Sequence, residues 1–215
     1  MYSFRAAPDG NAPQAALVLA PDGTLYGTTN KGGSAGYGTV FKLAEVNGTY
    51  QETVVYSFQG GNDGASPSSA LVLDAAGNLY GTTASGGGAG GGTVFKIDTT
   101  GQETVLYAFQ GVPDGAYPFR GLIEDSSGNL YGTTTAGGVY GAGTVFMLNA
   151  SGQETILHSF AGSPDGAAPY GALFRDAAGN LFGTTSIGRQ AGAVLWVWMW
   201  NGIRSHERWA GSSAL

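Results

Sequence analysis

Four aspartates recur at a nearly fixed spacing, and their carboxylates are the groups in this sequence best suited to bind a cation or the hydroxyls of a sugar. Each precedes a glycine, and the steps between them are 54, 51 and 51 residues: Asp9, Asp63, Asp114 and Asp165. A calcium loop, however, supplies several carboxylates close together in sequence, whereas each of these loops carries one. The pattern therefore favours a structural turn, with ligand contacts at the rim as the alternative.

Other groups with catalytic potential are sparse. The chain has two histidines, His158 and His206, and no cysteine, which excludes disulfides, zinc–thiolate sites and cysteine nucleophiles. His158 stands where the other repeats carry tyrosine, and no Ser/His/Asp set can be assembled, since a triad is recognised by geometry. The sequence thus predicts no catalytic residues, no metal ligands and no cofactor.

The aspartates belong to an internal repeat. The segment Asn-Leu-Tyr-Gly-Thr-Thr at residues 78–83 returns almost unchanged at residues 24–29, 129–134 and 180–185. Turn signals divide each repeat into four short strands, and four antiparallel strands in about 50 residues are typical of a propeller blade. We therefore predict an all-β fold, a β-propeller of about four four-stranded antiparallel blades that forms part of a larger ring. A β-solenoid is the alternative.

The prolines set the predicted blade boundaries. Residues 13–66, 67–117, 118–168 and 169–215 are assigned to blades 1 to 4, and residues 1–12 to the closing strand and loop of a preceding or shared blade. Blade 4 departs from the pattern at about residue 187, and all four tryptophans follow that point. An atypical capping repeat and a frame-shifted tail both explain this change.

Two residue types recur inside the second strand of each unit. A glycine in a strand interior indicates a bulge or a close backbone approach, and it is found at Gly27, Gly81, Gly132 and Gly183. The aromatic residue before it is predicted to pack between blades, with sugar stacking as the alternative: Tyr26, Tyr80, Tyr131 and Phe182. The Asp-Gly loops and the glycine-rich loops should share one face of the meander, where binding usually occurs.

Composition limits the partners. Only 11% of residues are charged and the net charge is −6, which argues against nucleic acid because phosphate binding needs clustered Lys and Arg. The most apolar stretch, residues 191–200, has about half of the ~20 residues that a spanning helix needs, so no membrane span is predicted. The opening Met1-Tyr2-Ser3-Phe4 has no signal-peptide character.

The unit Tyr-x-Phe, Asp-Gly, Asn-Leu-Tyr-Gly-Thr-Thr, Gly-Gly, Gly-Thr-Val-Phe-Lys resembles the GloVer (Gloeobacter/Verrucomicrobia) tandem repeat over residues 1–186. The resemblance implies a bacterial β-propeller-like protein that is secreted or displayed at the cell surface. It supplies no catalytic residues that can be carried over to this chain. A signal peptide, an anchor segment and a regular fourth repeat are features of that family that this sequence lacks.

Three functional hypotheses follow. Near-identical repeats place the same groups around a rim, which favours a non-catalytic binding or surface-display module for an unknown extracellular ligand, either glycan or protein. The second hypothesis is a propeller enzyme of the lyase or hydrolase type with its site on the loop rim, which needs residues unique to one blade. The third is a truncated or frame-shifted fragment without independent function. An open ring also exposes an apolar blade face, which predicts self-association.

Overall fold

The computed structural model describes residues 2–5 and 7–188, together with the backbone of the strand Trp196–Trp200. The described residues form antiparallel β-structure without a helix, and therefore include no helical segment that could cross a membrane. Most of the tail from residue 187, for which a cap and a frame shift are the alternative explanations, lies outside the described residues.

Each repeat forms a meander whose first strand is split into two short pieces. Both pieces pair with the second strand, which is itself divided in the third repeat. The first repeat contains β1 (Gly10–Pro13), β2 (Val18–Leu19), β3 (Leu25–Gly32), β4 (Thr39–Val46) and β5 (Thr49–Ser57). The second contains β6 (Ala65–Pro67), β7 (Val72–Leu73), β8 (Leu79–Ser85), β9 (Thr93–Ile97) and β10 (Glu103–Ala108). Both are meanders in which the split strand, the second, the third and the fourth follow in order.

The third and fourth repeats follow the same plan. The third contains β11 (Gly115–Ala116), β12 (Ile123–Glu124), β13 (Leu130–Thr134), β14 (Ala136–Gly137), β15 (Thr144–Leu148) and β16 (Glu154–Ser159). The fourth contains β17 (Ala167–Pro169), β18 (Phe174–Arg175), β19 (Leu181–Ile187) and β20 (Trp196–Trp200). The predicted four-strand order is therefore confirmed in three sheets, and the described part of the fourth supplies its first three strand positions.

Successive sheets pack face to face, so the inner sheets are buried on both sides. In the first two of these cores, one sheet contributes a valine of its third strand and the phenylalanine that follows its fourth strand, and the next contributes leucines and a phenylalanine. The first core joins Val40 and Phe58 to Leu71, Phe95 and Ile97. The second joins equivalent residues: Val94 and Phe109 with Leu122, Phe146 and Leu148.

The repeated glycine makes room for the phenylalanine of the neighbouring strand. A Cβ atom added at Gly81 would lie 2.5 Å from Cζ of Phe95 and 2.8 Å from Cδ2 of Leu71. Gly81 and Phe95 are direct partners in a ladder without a register shift, so this glycine marks a close approach and not a bulge. Gly27 and Gly132 have the same surroundings, and the backbone of Gly183 pairs with that of Trp198 in the equivalent register.

A bulge occurs in the fourth strand instead. In the second sheet Tyr107 pairs with Val94 and Val105 pairs with Phe95, which leaves Leu106 as the extra residue. The bulge lets the consecutive side chains of Leu106 and Tyr107 both pack against the next sheet. The first and third sheets carry the same shift, at Val55 and Leu157.

A left-handed residue followed by proline forms each joint between sheets. Tyr117 has a φ of 60°, and its N–H donates to the Gly91 carbonyl oxygen of the preceding sheet at 2.7 Å. Pro118 then packs against Gly92, where an added Cβ would lie 2.7 Å from the proline Cδ. The other joints repeat these contacts at Ser66 and Ala168. The split first strands of the second and third sheets also touch, because the Ser68 hydroxyl donates to the Phe119 carbonyl oxygen at 3.5 Å, so these sheets converge at their first strands.

The first sheet meets only a short segment on its outer side among the described residues. Phe4 packs edge-on against Phe41 at 4.9 Å, which reproduces the contact of Phe58 with Phe95 in the next joint. Leu17 is 43% exposed, whereas its equivalents Leu71, Leu122 and Leu173 are each 6% exposed. The self-association inferred from an exposed apolar face stays a prediction.

Candidate functional site

The four repeated aspartates bind to groups of their own loops. The Asp63 Oδ2 atom accepts hydrogen bonds from the Tyr56 hydroxyl at 3.1 Å and from the Gln59 N–H at 2.7 Å. The other three repeat this arrangement with the residues seven and four positions earlier: Asp9 with Tyr2 and Arg5, Asp114 with Tyr107 and Gln110, and Asp165 with His158 and Ala161. These contacts are those of a loop-closing carboxylate.

The glycine-rich loops lie beside the Asp-Gly loops, as the meander predicts. The Gly87 N–H donates to the Gly61 carbonyl oxygen at 3.0 Å, and the Gly33 N–H donates to that of Asp9 at 2.9 Å. One rim of the molecule is therefore a continuous belt of hydrogen-bonded turns. His158 contributes to this belt in place of tyrosine, through its Nε2 contact of 3.1 Å with Asp165.

We expect Tyr56→Phe to lower the free energy of unfolding by about 1 kcal/mol, because it removes a donor to the partly buried Asp63 carboxylate. The measurement is equilibrium unfolding in urea. Tyr140→Phe is the control, since Tyr140 is 66% exposed and its hydroxyl has no partner among the described residues. Identical midpoints for the two variants would mean that the tyrosine–aspartate contact does not stabilise the loop.

A second set of carboxyls lies between the sheets. Burial, and then the neighbouring Asp63 carboxylate, raise the pKa of Glu103 to about 7. Glu52 beside Asp9 and Glu154 beside Asp114 have their pKa values raised to about 7 by the same two causes. In each of the three, Oε1 is enclosed and has no hydrogen-bond partner among the described residues. These glutamates are therefore partly protonated near neutral pH.

The predicted tight turns are organised by another aspartate. Asp74 accepts hydrogen bonds from the backbone and side-chain nitrogens of Asn78 and from the Tyr80 hydroxyl. Burial works to raise the pKa of Asp74, but these hydrogen bonds outweigh it and hold the pKa below its usual value. Asp125, Asn129 and Tyr131 form the same turn, and Asp176 and Asn180 form it without a tyrosine.

The repeated aromatic residues lie between sheets or beside their turns. Tyr26, Tyr80 and Tyr131 each pack against an inter-sheet core. Lys96 lies over the Tyr80 ring, with 5.8 Å from Nζ to the ring centroid. Phe182 contacts Phe174, with 6.0 Å between ring centroids. These contacts account for the four positions by packing.

One group of side chains differs from the repeat pattern. Tyr117, Phe119 and Arg120 lie at the split of the first strand in the third sheet, and Tyr170 lies at the split in the fourth. The positions equivalent to Arg120 hold Ala15, Ser69 and Gly171, and those equivalent to Tyr117 hold Ala12, Ser66 and Ala168. We call these four residues the aromatic–arginine cluster. The cluster is confined to the converging edge of two adjacent sheets.

The cluster is a set of contacting planar groups. The rings of Phe119 and Tyr170 are stacked, with centroids 5.8 Å apart and planes 25° apart. The Arg120 guanidinium carbon lies 4.5 Å from the centroid of the Tyr170 ring, and the Tyr117 ring lies 6.4 Å from that of Phe119. Tyr117 is 44% exposed and Tyr170 is 45% exposed, so the cluster presents aromatic surface to solvent.

The backbone at Tyr117 is unfavourable for a bulky residue, because a positive φ is uncommon outside glycine and a following proline also disfavours α-type conformations. The three equivalent positions have the same φ sign but carry small side chains. The ring of Tyr117 thus adds a cost at a strained position, and strain of this kind concentrates at functional sites.

The sequence analysis did not identify this cluster, although a signal for it was present. Aligning the repeats on their prolines places Phe119-Arg120 against Gln14-Ala15 and Ser68-Ser69. A comparison that looks for residues common to all repeats passes over such positions. A binding site confined to one or two blades depends on residues that the other repeats lack. Among the described residues, no three His, Cys, Asp or Glu side chains come together in a group that could hold a metal ion.

Four-stranded antiparallel sheets that converge at their first strands define the class of protein as a β-propeller. The profile of the Gloeobacter/Verrucomicrobia repeat matches residues 1–196, and the chain belongs to that repeat family. No curated protein matches the chain.

Two solved structures of low identity share the fold. A protein assigned as a gluconolactonase is 19% identical with a TM-score of 0.52, over 87% of this chain and 60% of that chain. A protein assigned as a 6-phosphogluconolactonase from Bacteroides uniformis is 16% identical with a TM-score of 0.50, over 90% of this chain and 57% of that chain. This chain thus spans about three fifths of the length of these proteins.

Proposed function

We propose that this chain is a non-catalytic binding module that recognises a glycan outside the cell. The observation that supports it is the aromatic–arginine cluster, which combines exposed ring surface with a guanidinium at the inner edge of the propeller. The CH face of a sugar ring is apolar and packs on an aromatic face, while its hydroxyls need directed donors. Sites that bind small molecules combine these two kinds of surface.

The repeats themselves supply a rigid scaffold and not the ligand contacts. Each repeated aspartate uses its carboxylate within its own loop, and the repeated glycines Gly27, Gly81 and Gly132 are each enclosed by a neighbouring ring. Residues held in this way position the first strands of the third and fourth sheets relative to each other. The ligand-binding role therefore falls to the residues that break the repeat.

An enzymatic role remains the alternative hypothesis. The two structures of similar fold are assigned as lactonases, but at identities of 19% and 16% the similarity indicates only a shared fold. Nothing in the described residues favours a particular reaction, whereas the aromatic–arginine cluster favours binding. Export to the cell surface, implied by the family resemblance, forms part of the proposal.

We expect Tyr170→Ala to weaken glycan binding about tenfold, because it removes the ring that joins Phe119 to Arg120. Binding would be measured by affinity electrophoresis against a panel of neutral and acidic plant and bacterial polysaccharides. Calorimetry with oligosaccharides of the best ligand would follow. Tyr140→Ala is the control, since it removes a tyrosine outside the cluster that is more exposed than Tyr170.

Two outcomes would contradict the proposal. One is the absence of binding to every polysaccharide by a wild-type protein with a cooperative melting transition. The other is equal weakening by the Tyr170 and Tyr140 variants, which would assign binding to general aromatic surface. A melting temperature measured for each variant separates loss of the site from loss of the fold.

A further inference from the structure

We propose that the aromatic–arginine cluster selects acidic saccharides, in which a sugar carboxylate pairs with the Arg120 guanidinium while the sugar ring packs on Tyr117 and on the exposed part of the Tyr170 ring. This inference rests on the proposed function and specifies its ligand class. It commits to a uronic acid unit within a glycan chain.

The hydrogen bonding of Arg120 is incomplete. Arg120 Nε is enclosed and has no hydrogen-bond partner among the described residues. Buried donors are nearly always paired in folded proteins, so the unpaired Nε shows that the hydrogen bonds of this guanidinium are incomplete in this structure. The contact recorded for the guanidinium is with the face of the Tyr170 ring, which leaves its in-plane N–H donors for a ligand.

Arg120 also lacks a counter-charge in the part of the chain that the structure describes. Among the described residues, no carboxylate oxygen lies within 4.0 Å of a nitrogen of the Arg120 guanidinium. The ion pair found in this part of the chain joins His158 to Asp165. In a chain with a net charge of −6, acidic partners are abundant, yet this arginine has none. A partly enclosed cation without a partner is costly, and an incoming carboxylate would relieve that cost.

Contacts with neighbouring residues fix the position of Arg120. The Thr82 hydroxyl of the preceding sheet donates to the Arg120 carbonyl oxygen at 3.3 Å. Stacking of Phe119 on Tyr170 fixes the ring beneath the guanidinium. A planar guanidinium that is held in one orientation matches the geometry of a carboxylate with two parallel hydrogen bonds, which a lysine cannot reproduce.

The tyrosine rings of the cluster distinguish an acidic sugar from other anions. A free phosphate would use the guanidinium alone and leave the exposed surface of Tyr117 and Tyr170 uncovered. A uronic acid carries its carboxylate on a ring whose CH face can cover an aromatic side chain. The cluster provides both complementary surfaces within one ring contact of each other.

The test compares an oligogalacturonide with its fully methyl-esterified form, because the two differ in charge and share the same sugar rings. Calorimetry at low ionic strength should show that wild-type protein binds the free acid at least tenfold more tightly than the ester. Polyglutamate, an acid without a sugar ring, should bind at least tenfold more weakly than the oligogalacturonide. The preference for the free acid should diminish as salt is raised.

Arg120→Gln should remove the preference, so that the free acid and the ester bind with equal affinity. Arg120→Lys should retain part of the preference, because it keeps the charge and loses the two-pronged geometry. The wild-type comparison needs no variant, so the inference stays testable if Arg120→Gln fails to fold.

The outcomes separate the two proposals. Equal binding of acid and ester by wild-type protein would overturn the acidic-saccharide inference and leave glycan binding in place. Polyglutamate that binds as well as the oligogalacturonide would overturn the saccharide class. Equal loss of acid and ester binding in a folded Arg120→Gln variant would show that the arginine only supports the ring. Binding to no saccharide at all would overturn the proposed function as well.

Discussion

Gly81→Val should lower the free energy of unfolding by more than about 2 kcal/mol, one of the two largest effects that we expect from this structure. The reason is a collision inside a closed core. An added Cβ would lie 2.5 Å from Phe95 Cζ and 2.8 Å from Leu71 Cδ2, and both rows of side chains are already packed against the first sheet. Phe95 is fully buried, so it has no free space into which to move.

The measurement is chemical denaturation with a probe of sheet structure, together with a melting curve. Gly88→Val is the matched control, because Gly88 has nothing within 4 Å of its ideal Cβ position and is exposed. The control should change the unfolding free energy by less than about 0.5 kcal/mol. A Gly81 variant that melts at the wild-type temperature would show that the neighbouring sheets yield easily.

Raising the pH from 5 to 8 should lower the stability of the protein, and replacing Glu52, Glu103 and Glu154 together by glutamine should remove most of this loss. In the folded state each of the three pKa values is raised from the ordinary 4.5 to about 7. Between these two pH values the folded protein binds more protons than the unfolded chain. Stability therefore falls as the pH rises through that range.

The size of this loss of stability is set by burial of the glutamates and by repulsion from the neighbouring aspartates. Above pH 7 each ionised glutamate is partly buried and faces an aspartate, as Glu103 faces Asp63. Allowing for screening by solvent, about 1 kcal/mol per carboxyl is expected at pH 8, and about 3 kcal/mol for the three together. The triple glutamine variant should then be more stable than wild type at pH 8 and similar to it at pH 5.

The test is the free energy of unfolding measured at several pH values for wild type and the triple variant. Glu45→Gln is the control, because Glu45 is exposed in the hairpin at the end of the first sheet. Its pH profile should follow that of wild type. Superimposable profiles for wild type and the triple variant would contradict the prediction.

The repeat made the four-strand order, the two kinds of turn and the shared loop face predictable. Their signals are local: Asp-Gly and proline at one turn, Asp-x-x-Gly-Asn at the next, and a short run of consecutive apolar residues between them. The close approach at Gly81 was predictable as one of two possibilities, because glycine in a strand has few other uses.

The remaining features depend on contacts between repeats, which have no local signature. Glu103 follows a turn and precedes a threonine, a pattern typical of an exposed strand end, and only the neighbouring sheet makes its carboxyl buried. The residue types do not predict the bulge at Leu106 either, since Val105 and Leu106 are both ordinary strand residues. Arg120 was recognisable as a deviation from the repeat, but its contact with Tyr170 required the two sheets to be placed side by side.

The joints between sheets have a consequence for how such proteins change during evolution. At every described joint a glycine of one repeat receives the proline of the next, as Gly92 receives Pro118, and a backbone carbonyl accepts from the residue before that proline. A duplicated repeat carries the proline of one joint at its start and the glycine of the next joint further along. Inserting a whole repeat therefore restores the contacts of both joints. Single substitutions at Gly92 or Pro118 have no such compensation. Lineages should therefore gain and lose whole repeats more readily than they alter one junction.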